Sequence, residues 1–269
     1  IQDLYGGSMK YLDGSEKTLL GKDNSHKMIN DYELLINNWI EFCAKSNIRS
    51  TCFVLGSFAI KYPDLILKLS DAGHEIASHG NNHKLVYKMN IGDWEQSLIN
   101  SKKTLEGIIS KEVTGYRSAS WSLPFEKKYY EVLAKNGYKY SSSYFPLKTY
   151  MYGNTIDKKQ SFNIDTKYGK IKEIPLLKNM IPYSGGFYLR VLPTALLKYL
   201  FRDSIKNGYT PIIYIHPYEL LGSNLMKTFG KNAKINLDFL LAFYSSTPPL
   251  NKIRSVLNDN LIYNKGIND

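Results

Sequence analysis

Cysteines, long apolar runs and clustered charges are all scarce in this sequence, and each absence excludes a class of protein. Cys43 and Cys52 are the only cysteines among 269 residues, which excludes a disulfide framework and a cysteine-rich zinc module. No stretch reaches the ~18 consecutive apolar residues of a membrane-spanning helix. Because the first residues show no basic flank followed by an apolar run, we expect a cytoplasmic protein without stable membrane insertion.

Positive charge is abundant but evenly spread. The chain carries 35 Lys and Arg against 24 Asp and Glu, a formal net charge of +11. A nucleic-acid surface typically clusters its basic residues with interleaved aromatics. Here even the densest basic group, residues 167–172, is interrupted by Tyr168, Gly169 and Ile171. The pattern argues against a nucleic-acid partner and is compatible with an anionic substrate.

Short β-branched or aromatic runs alternate with amphipathic helical patterns, and no repeat or linker divides them. This alternation is typical of a parallel sheet or barrel, so we predict an α/β fold in one domain over residues 1–269. The predicted strands are 50–55, 74–79, 113–118, 138–143, 173–177 and 211–216. The predicted helices are 32–46, 63–72, 93–109, 129–135 and 194–207, with a further helical segment at about 235–260. Asp93 and Thr194 are the predicted N-terminal caps, and Leu196 is predicted to face the core.

Polar residues gather where these strands end, which is where the active site of an α/β barrel lies. They are Asp3, His79, His83, Arg117, the Ser141–Ser143 cluster and His216. The spacing of His79 and His83 places two imidazoles on one face of a helical turn, and neutral imidazole is a good ligand for zinc and similar metals. The alternative is a pair of loop histidines that only form hydrogen bonds, because this spacing alone is a weak signal.

Six co-linear segments resemble the NodB-homology polysaccharide deacetylases, the carbohydrate esterase family 4 enzymes. The segments are 51–56, 73–83, 115–122, 140–143, 181–190 and 214–220. The third contains Gly115-Tyr116-Arg117 and is similar to the arginine motif of the family. The last three are similar to a branch of cytoplasmic deacetylases of surface-polysaccharide biosynthesis, such as lipopolysaccharide or capsule. The resemblance implies a deformed (β/α)7 barrel that removes an acetyl or a formyl group from an amino sugar of a glycan, or of a nucleotide- or lipid-linked precursor.

The resemblance also implies a role for each candidate residue. It assigns the metal-ligand role to three side chains, which are Asp3, His79 and His83. Zinc is the expected metal, with cobalt, manganese and nickel as alternatives; it would polarise the amide carbonyl and activate a water that a carboxylate deprotonates. Arg117 would orient that carboxylate, and the backbone N–H of Ser120 would bind the oxyanion. His216 would be the general acid.

The sequence departs from the family pattern at three places. Gln2 stands where an acid is expected, and the sequence leaves open whether Asp3 is the base or a metal ligand. The first acid of the motif would fall just before Ile1. Ala119 replaces a proline, and Ser141 replaces an aspartate. Because an amide cannot act as a base at neutral pH, the alternative is a catalytically impaired protein that binds carbohydrate.

The other histidines and several tyrosines receive less specific interpretations. His74 is predicted to be structural, and His26 is predicted to lie at the surface. Some of the 22 tyrosines are candidates for stacking on sugar rings, although amphipathic core or rim positions are the commoner role. The candidates are Tyr144, Tyr183, Tyr188 and Tyr218. Which sugar is used and whether the chain forms an oligomer are not predicted.

Overall fold

The computed structural model describes residues 25–148, 153, 158, 160–176, 183, 186–216 and 249–257. The chain forms two compact units. The first contains the described residues of Arg49–Met180, and the second contains those of Gln2–Ile48 and Ile181–Asn264. All the described strands belong to the first unit, whereas the regular elements described for the second unit are helices.

The secondary structure alternates as the sequence predicts. The strands are β1 (Thr51–Val54), β2 (Glu75–Ser78), β3 (Gly115–Tyr116), β4 (Tyr140–Ser141), β5 (Phe162–Thr166) and β6 (Gly169–Glu173). The α-helices are α1 (Ser25–Lys45), α2 (Gly56–Lys61), α3 (Pro63–Asp71), α4 (Ile91–Ile109), α5 (Lys127–Lys135), α6 (Gly186–Val191), α7 (Thr194–Lys206) and α8 (Pro249–Leu257). Two 3₁₀ turns lie at Val86–Lys88 and Ala119–Trp121. Of the predicted helical segment at about 235–260, only α8 lies within the described residues.

The six strands form one sheet in the order β1-β2-β3-β4-β6-β5. Neighbouring strands from β1 through β4 to β6 pair in parallel, and β5 pairs antiparallel with β6. Ser78 lies opposite Tyr116, and Ser141 lies opposite Glu173. The carboxyl ends of the five parallel strands therefore share one edge of the sheet, which we call the carboxyl edge. The predicted parallel α/β architecture is confirmed.

The core of the first unit is aromatic. Trp94 of α4 is 2 % exposed, and its Nε1 donates a hydrogen bond to the Tyr116 hydroxyl at 3.1 Å. The Tyr138 hydroxyl donates to the Leu98 carbonyl at 3.2 Å. The Tyr140 ring lies close to Gly115: a Cβ at this glycine would lie 2.2 Å from the Tyr140 ring. The absence of a side chain at residue 115 is thus what lets β4 place its tyrosine against β3.

Helix ends in the first unit follow ordinary capping rules, with one correction. α3 begins with Pro63 in its first turn, and Gly73, at φ +84°, follows its end. The predicted cap Asp93 is wrong: Asn90 caps α4 by accepting from the Asp93 backbone N–H at 2.8 Å. Asp93 lies in the first turn, where its carboxylate accepts from the Asn90 side chain. Both residue types cap well, and the helix starts two residues earlier than predicted because Ile91 and Gly92 join it.

The hairpin of β5 and β6 was not predicted. β5 alternates partly buried and exposed residues, whereas Ile171 and Glu173 of β6 are fully buried. The turn at Lys167 and Tyr168 is followed by Gly169 at φ +124°. The strand expected at 173–177 lies four residues earlier. It ends at Glu173 because Pro175 has no N–H to donate to a ladder.

The second unit is organised around α7. Thr194 is its first residue and not its cap, because Pro193 occupies the capping position. Leu197 and Phe201 are buried, whereas Leu196 is 38 % exposed, so the predicted core position of Leu196 is wrong. Lys252 of α8 donates to the Leu192 carbonyl at 3.0 Å. The predicted strand at 211–216 is reduced to an isolated bridge at Tyr214, because no ladder pairs with it within the described part of the chain.

Candidate metal-binding and catalytic site

His79 and His83 lie in the loop that follows β2 at the carboxyl edge. The predicted helical turn is wrong, because residues 79–85 form no helix and His83 has φ +51°. The loop is fixed by its backbone: Gly80, at φ +77°, accepts from the Gly56 N–H at 3.0 Å, and Asn81 accepts from the Ser57 N–H at 3.1 Å. These bonds tie the loop to the start of α2.

The loop nevertheless brings the two imidazoles together. The ring centroids of His79 and His83 are 5.0 Å apart, with 68° between the ring planes. His79 Nδ1 lies 2.7 Å from the Arg117 carbonyl oxygen. Because a carbonyl only accepts, Nδ1 carries the proton, and in the neutral imidazole Nε2 carries the lone pair that a metal ligand needs. Metal-binding histidines characteristically make such a bond through their other ring nitrogen.

The donor set fits a divalent metal as far as the structure describes it. Two neutral imidazoles in contact are suitable ligands for zinc, and a third ligand such as a carboxylate would complete a catalytic site. The described ranges contain no group of three or more His, Cys, Asp or Glu side chains that could hold a metal. The third predicted ligand, Asp3, and the neighbouring Gln2 lie outside those ranges.

Arg117 follows β3 and is held by the end of β4. The residue is 8 % exposed and is therefore buried. Nε donates to the Ser142 carbonyl at 2.9 Å, and Nη2 donates to Ser142 Oγ at 2.7 Å. The guanidinium also stacks over the Phe53 ring at 4.2 Å. These contacts fix the guanidinium; its predicted pairing with a carboxylate base stays a prediction.

The segment after Arg117 is a tight turn with an unusual backbone. Ser120 and Trp121 adopt left-handed conformations with φ of 48° and 49°. Consecutive non-glycine residues in this region are strained and persist only where their surroundings hold them. Ser118 anchors the turn, because its N–H donates to Ser143 Oγ at 2.9 Å and its Oγ accepts from the Leu123 N–H at 3.1 Å. The predicted oxyanion donor, the Ser120 N–H, thus lies in a fixed, strained turn.

Glu173 is a buried acid that the sequence reasoning missed. The last residue of β6, it is 0 % exposed and lies opposite Ser141. Its Oε1 accepts backbone N–H groups of Ser143 at 2.7 Å and Tyr144 at 2.8 Å. Burial raises the pKa of the Glu173 carboxyl, and these hydrogen bonds oppose that rise. One signal was present in the sequence: residues two positions apart in a strand lie on the same face, and the apolar Ile171 favours a buried face for Glu173 as well. In the structure Ile171 is fully buried.

The remaining predicted residues fall in different places. His216 is partly buried in the second unit, with its ring 6.0 Å from that of Tyr214. His74 is buried at the start of β2, and Ser50 N–H donates to its Nδ1 at 3.3 Å, so its structural role is supported. Tyr144 and Tyr183 are 2 % and 0 % exposed, which contradicts a role in stacking on sugars.

Three further residues complete the predicted set. Tyr188 is partly buried in α6. His26 lies in α1 without a described side chain, and Tyr218 lies outside the described residues. In the part of the chain that is described, no helix has the length and apolar character needed to cross a membrane.

Comparison with known proteins shows a shared fold and a family match over part of the chain. A protein of the polysaccharide deacetylase class from Mycobacterium smegmatis superposes with a TM-score of 0.64 at 15 % identity, over 92 % of this chain and 79 % of the other. At this identity the likeness shows the fold, and it confirms the predicted α/β-barrel class. Residues 31–141 match the polysaccharide deacetylase family model, and residues 142–237 match a domain of unknown function, DUF3473. This chain is therefore similar to the polysaccharide deacetylases over residues 31–141, and the likeness of fold extends over 92 % of it.

Individual relatives share low sequence identity with this chain. A peptidoglycan deacetylase of Helicobacter pylori is 28 % identical over 111 residues, which is 41 % of this chain and 37 % of the relative. The chain thus matches well under half of that protein. A mutant of BA3943, a CE4 family pseudoenzyme with restored enzymatic activity, superposes with a TM-score of 0.50 at 11 % identity, over 88 % of this chain and 62 % of the other. The fold is therefore shared with a family member described as a pseudoenzyme.

Proposed function

We propose that this protein hydrolyses the N-acyl group of an amino sugar in a glycan or glycan precursor, with the help of a divalent metal. The observation that carries the proposal is the paired arrangement of His79 and His83, with His79 Nδ1 donating to the Arg117 carbonyl at 2.7 Å. This bond selects the tautomer with a lone pair on Nε2, which is the form that binds metal.

The proposed ligands are His79, His83 and Asp3. A metal bound there supplies a Lewis acid for the amide carbonyl and lowers the pKa of a bound water. In the overall hydrolysis, water adds to the acyl carbon, the C–N bond breaks, and the amine nitrogen gains a proton as the carboxylic acid leaves. Zinc is the proposed ion, since imidazole suits it and tetrahedral sites with three protein ligands are typical of catalytic zinc.

Other residues have proposed roles around the scissile amide. The Ser120 N–H, in its left-handed turn, would donate a hydrogen bond to the carbonyl oxygen as it gains negative charge. Arg117, already fixed by Ser142, would hold the carboxylate that accepts the proton of water. His216 would give a proton to the leaving amine.

Substrate charge and acyl group are part of the same proposal. A net charge of +11 favours a glycan that carries phosphate or another anion, such as a nucleotide- or lipid-linked precursor. We propose acetyl as the main acyl group that is removed, with formyl as the alternative. The relative from Helicobacter pylori is named for action on peptidoglycan, so fragments of that polymer are the first substrates to test.

The second candidate is a protein that binds glycan without hydrolysing it. Gln2 and Ser141 replace acids in the family pattern, and a base is needed for full activity because general base catalysis contributes about 10²–10⁴-fold. This candidate predicts glycan binding without release of acid.

The test is an assay of acetate release from N-acetylated peptidoglycan fragments and chitooligosaccharides, with zinc added to metal-free protein. The proposal expects release by the wild type and a loss of more than about 100-fold in His79→Ala, because even outer-shell partners of a metal cost about 10- to 100-fold. His74→Gln is the matched control, since it removes a buried histidine at the opposite end of β2. Equal acetate release by wild type and His79→Ala would contradict the proposal. Glycan binding by an inactive wild type would favour the second candidate.

A further inference from the structure

A buried carboxyl group, that of Glu173, binds backbone amides at the carboxyl edge of the sheet. Glu173 ends β6 and is fully excluded from solvent. The cost of burying such a group is offset only where it is hydrogen-bonded. Its Oε1 accepts hydrogen bonds from the backbone N–H groups of Ser143 and Tyr144, which follow the end of β4. The carboxyl oxygen thus takes the place of a backbone carbonyl that a longer neighbouring strand would have supplied.

The segment that Glu173 holds is the one that holds Arg117. Ser142 accepts from the Arg117 guanidinium through both its carbonyl and its Oγ, at 2.9 and 2.7 Å. Ser143 Oγ accepts from the Ser118 N–H at 2.9 Å. Ser142 and Ser143, which hold Arg117 and Ser118, therefore belong to the same short segment as the two backbone amides that Glu173 binds. Any displacement of residues 142–144 moves the acceptors of Arg117.

Arg117 in turn orients His79. Its backbone carbonyl lies 2.7 Å from His79 Nδ1, and its N–H donates to the Ser78 carbonyl at 3.0 Å. Hydrogen bonds therefore link Glu173 to Ser143, Ser142 to the Arg117 guanidinium, and the Arg117 carbonyl to the imidazole, and the peptide bond between Ser142 and Ser143 joins the first two steps. Each of these hydrogen bonds lies between 2.7 and 2.9 Å.

We propose that Glu173 is a positioning residue for the metal site: by fixing residues 142–144 it fixes Arg117, and through the Arg117 carbonyl it fixes the tautomer and orientation of His79. This inference rests on the proposed function for its metal, but its first readout does not require one. In this role Glu173 acts through residues 142–144 and Arg117.

The test compares Glu173→Leu with Glu173→Gln. Leucine has a similar volume and no acceptor, whereas glutamine keeps a carbonyl oxygen at the same reach. The protonation of the imidazole nitrogens is measured by long-range ¹H–¹⁵N NMR of metal-free protein at pH 8, with His79 assigned from His79→Gln. Zinc affinity is measured by competition with a chromophoric chelator. The matched control is Glu75→Leu, which removes a carboxylate at the opposite edge that accepts the Thr51 and Tyr140 hydroxyls at 2.6 and 2.7 Å.

The proposal expects wild-type His79 as the Nδ1–H tautomer and a mixture of tautomers in Glu173→Leu. Zinc affinity should fall about 10-fold in that variant, at the low end of the effect of outer-shell partners, and return in Glu173→Gln. Glu75→Leu should lower the melting temperature and leave both site readouts unchanged. If Glu173→Leu does not fold, Glu173→Asp replaces it, because aspartate is one methylene too short to reach both amides.

Two results would overturn the inference. One is an unchanged His79 tautomer in a folded Glu173→Leu or Glu173→Asp; the other is an equal effect of the Glu75 and Glu173 variants on the tautomer. Failure of the proposed function is a separate result: wild-type protein that binds no zinc removes the metal, while the NMR comparison still decides whether Glu173 positions His79.

Discussion

The two hydrogen bonds from the Arg117 guanidinium to Ser142 lead to a specific prediction for the free energy of unfolding. In Ser142→Ala the guanidinium loses an acceptor at 2.7 Å, and the Ile174 carbonyl loses the hydroxyl donor at 2.9 Å. A hydrogen bond to a charged group contributes about 1.5–3 kcal/mol and a neutral one about 0.5–1.5 kcal/mol. Both partners remain buried, so we expect the free energy of unfolding to fall by about 2–4 kcal/mol.

The assay is equilibrium unfolding in urea with excess chelator, so that metal binding does not add to the stability of the native state. Ser101→Ala is the control, because Ser101 is also fully buried and its hydroxyl lies 2.9 Å from that of Ser78. That variant loses one neutral hydrogen bond and should cost about 1 kcal/mol. If Ser142→Ala is no more destabilising than Ser101→Ala, the hydrogen bond from the charged guanidinium to Ser142 Oγ adds nothing to stability, and the reasoning is refuted.

Three further predictions concern the framework. Gly115→Ala should destabilise the protein by about 1–3 kcal/mol because its Cβ would meet the Tyr140 ring, whereas Gly107→Ala in α4 has open space and should stabilise by about 0.5–1 kcal/mol; urea unfolding measures both. Asn90→Ala should cost about 1 kcal/mol in the same assay through loss of the α4 cap. Burial lowers the pKa of His74, so the unfolded chain binds its proton more readily, and stability should decrease as pH falls below about 6.5; melting temperatures of His74→Gln should depend less on pH between 7.5 and 5.5 than those of wild type.

Each of these has a distinct contrary outcome. Equal stability changes at residues 115 and 107 would show that β4 can move away from β3 without cost. An Asn90→Ala variant as stable as wild type would mean that Asp93 takes over the capping role. A pH dependence that is the same with and without His74 would place the acid-sensitive group elsewhere.

The sequence was sufficient for the elements whose physical signals are local. The run Cys52–Val54 is buried on both faces, so it reads as a continuous apolar strand, as parallel strands do. Pro63 and Gly73 mark the two ends of α3 by their backbone preferences alone. The order of such elements was enough to predict a parallel sheet and the edge at which the candidate residues His79, His83 and Arg117 lie.

Features that depend on distant partners were not predictable in the same way. Residues 169–172 were not predicted as a strand, and their pairing with β4 and β5 makes them part of β6. A glutamate is usually exposed, and Glu173 is buried because amides some thirty residues earlier bind it. The histidine pair was identified by its spacing, but its contact comes from a loop held by Gly56 and Ser57, not from a helical turn.

The central claim is that His79 and His83 bind one metal ion. Its most direct test is the metal content of protein purified without chelator or nickel resin, measured by mass spectrometry for wild type, His79→Ala and His83→Ala. The account predicts about one zinc, cobalt, manganese or nickel ion per wild-type chain and loss of that ion in both variants. The account would be contradicted if the wild type contained no more metal than the variants, or if either variant kept its full metal content.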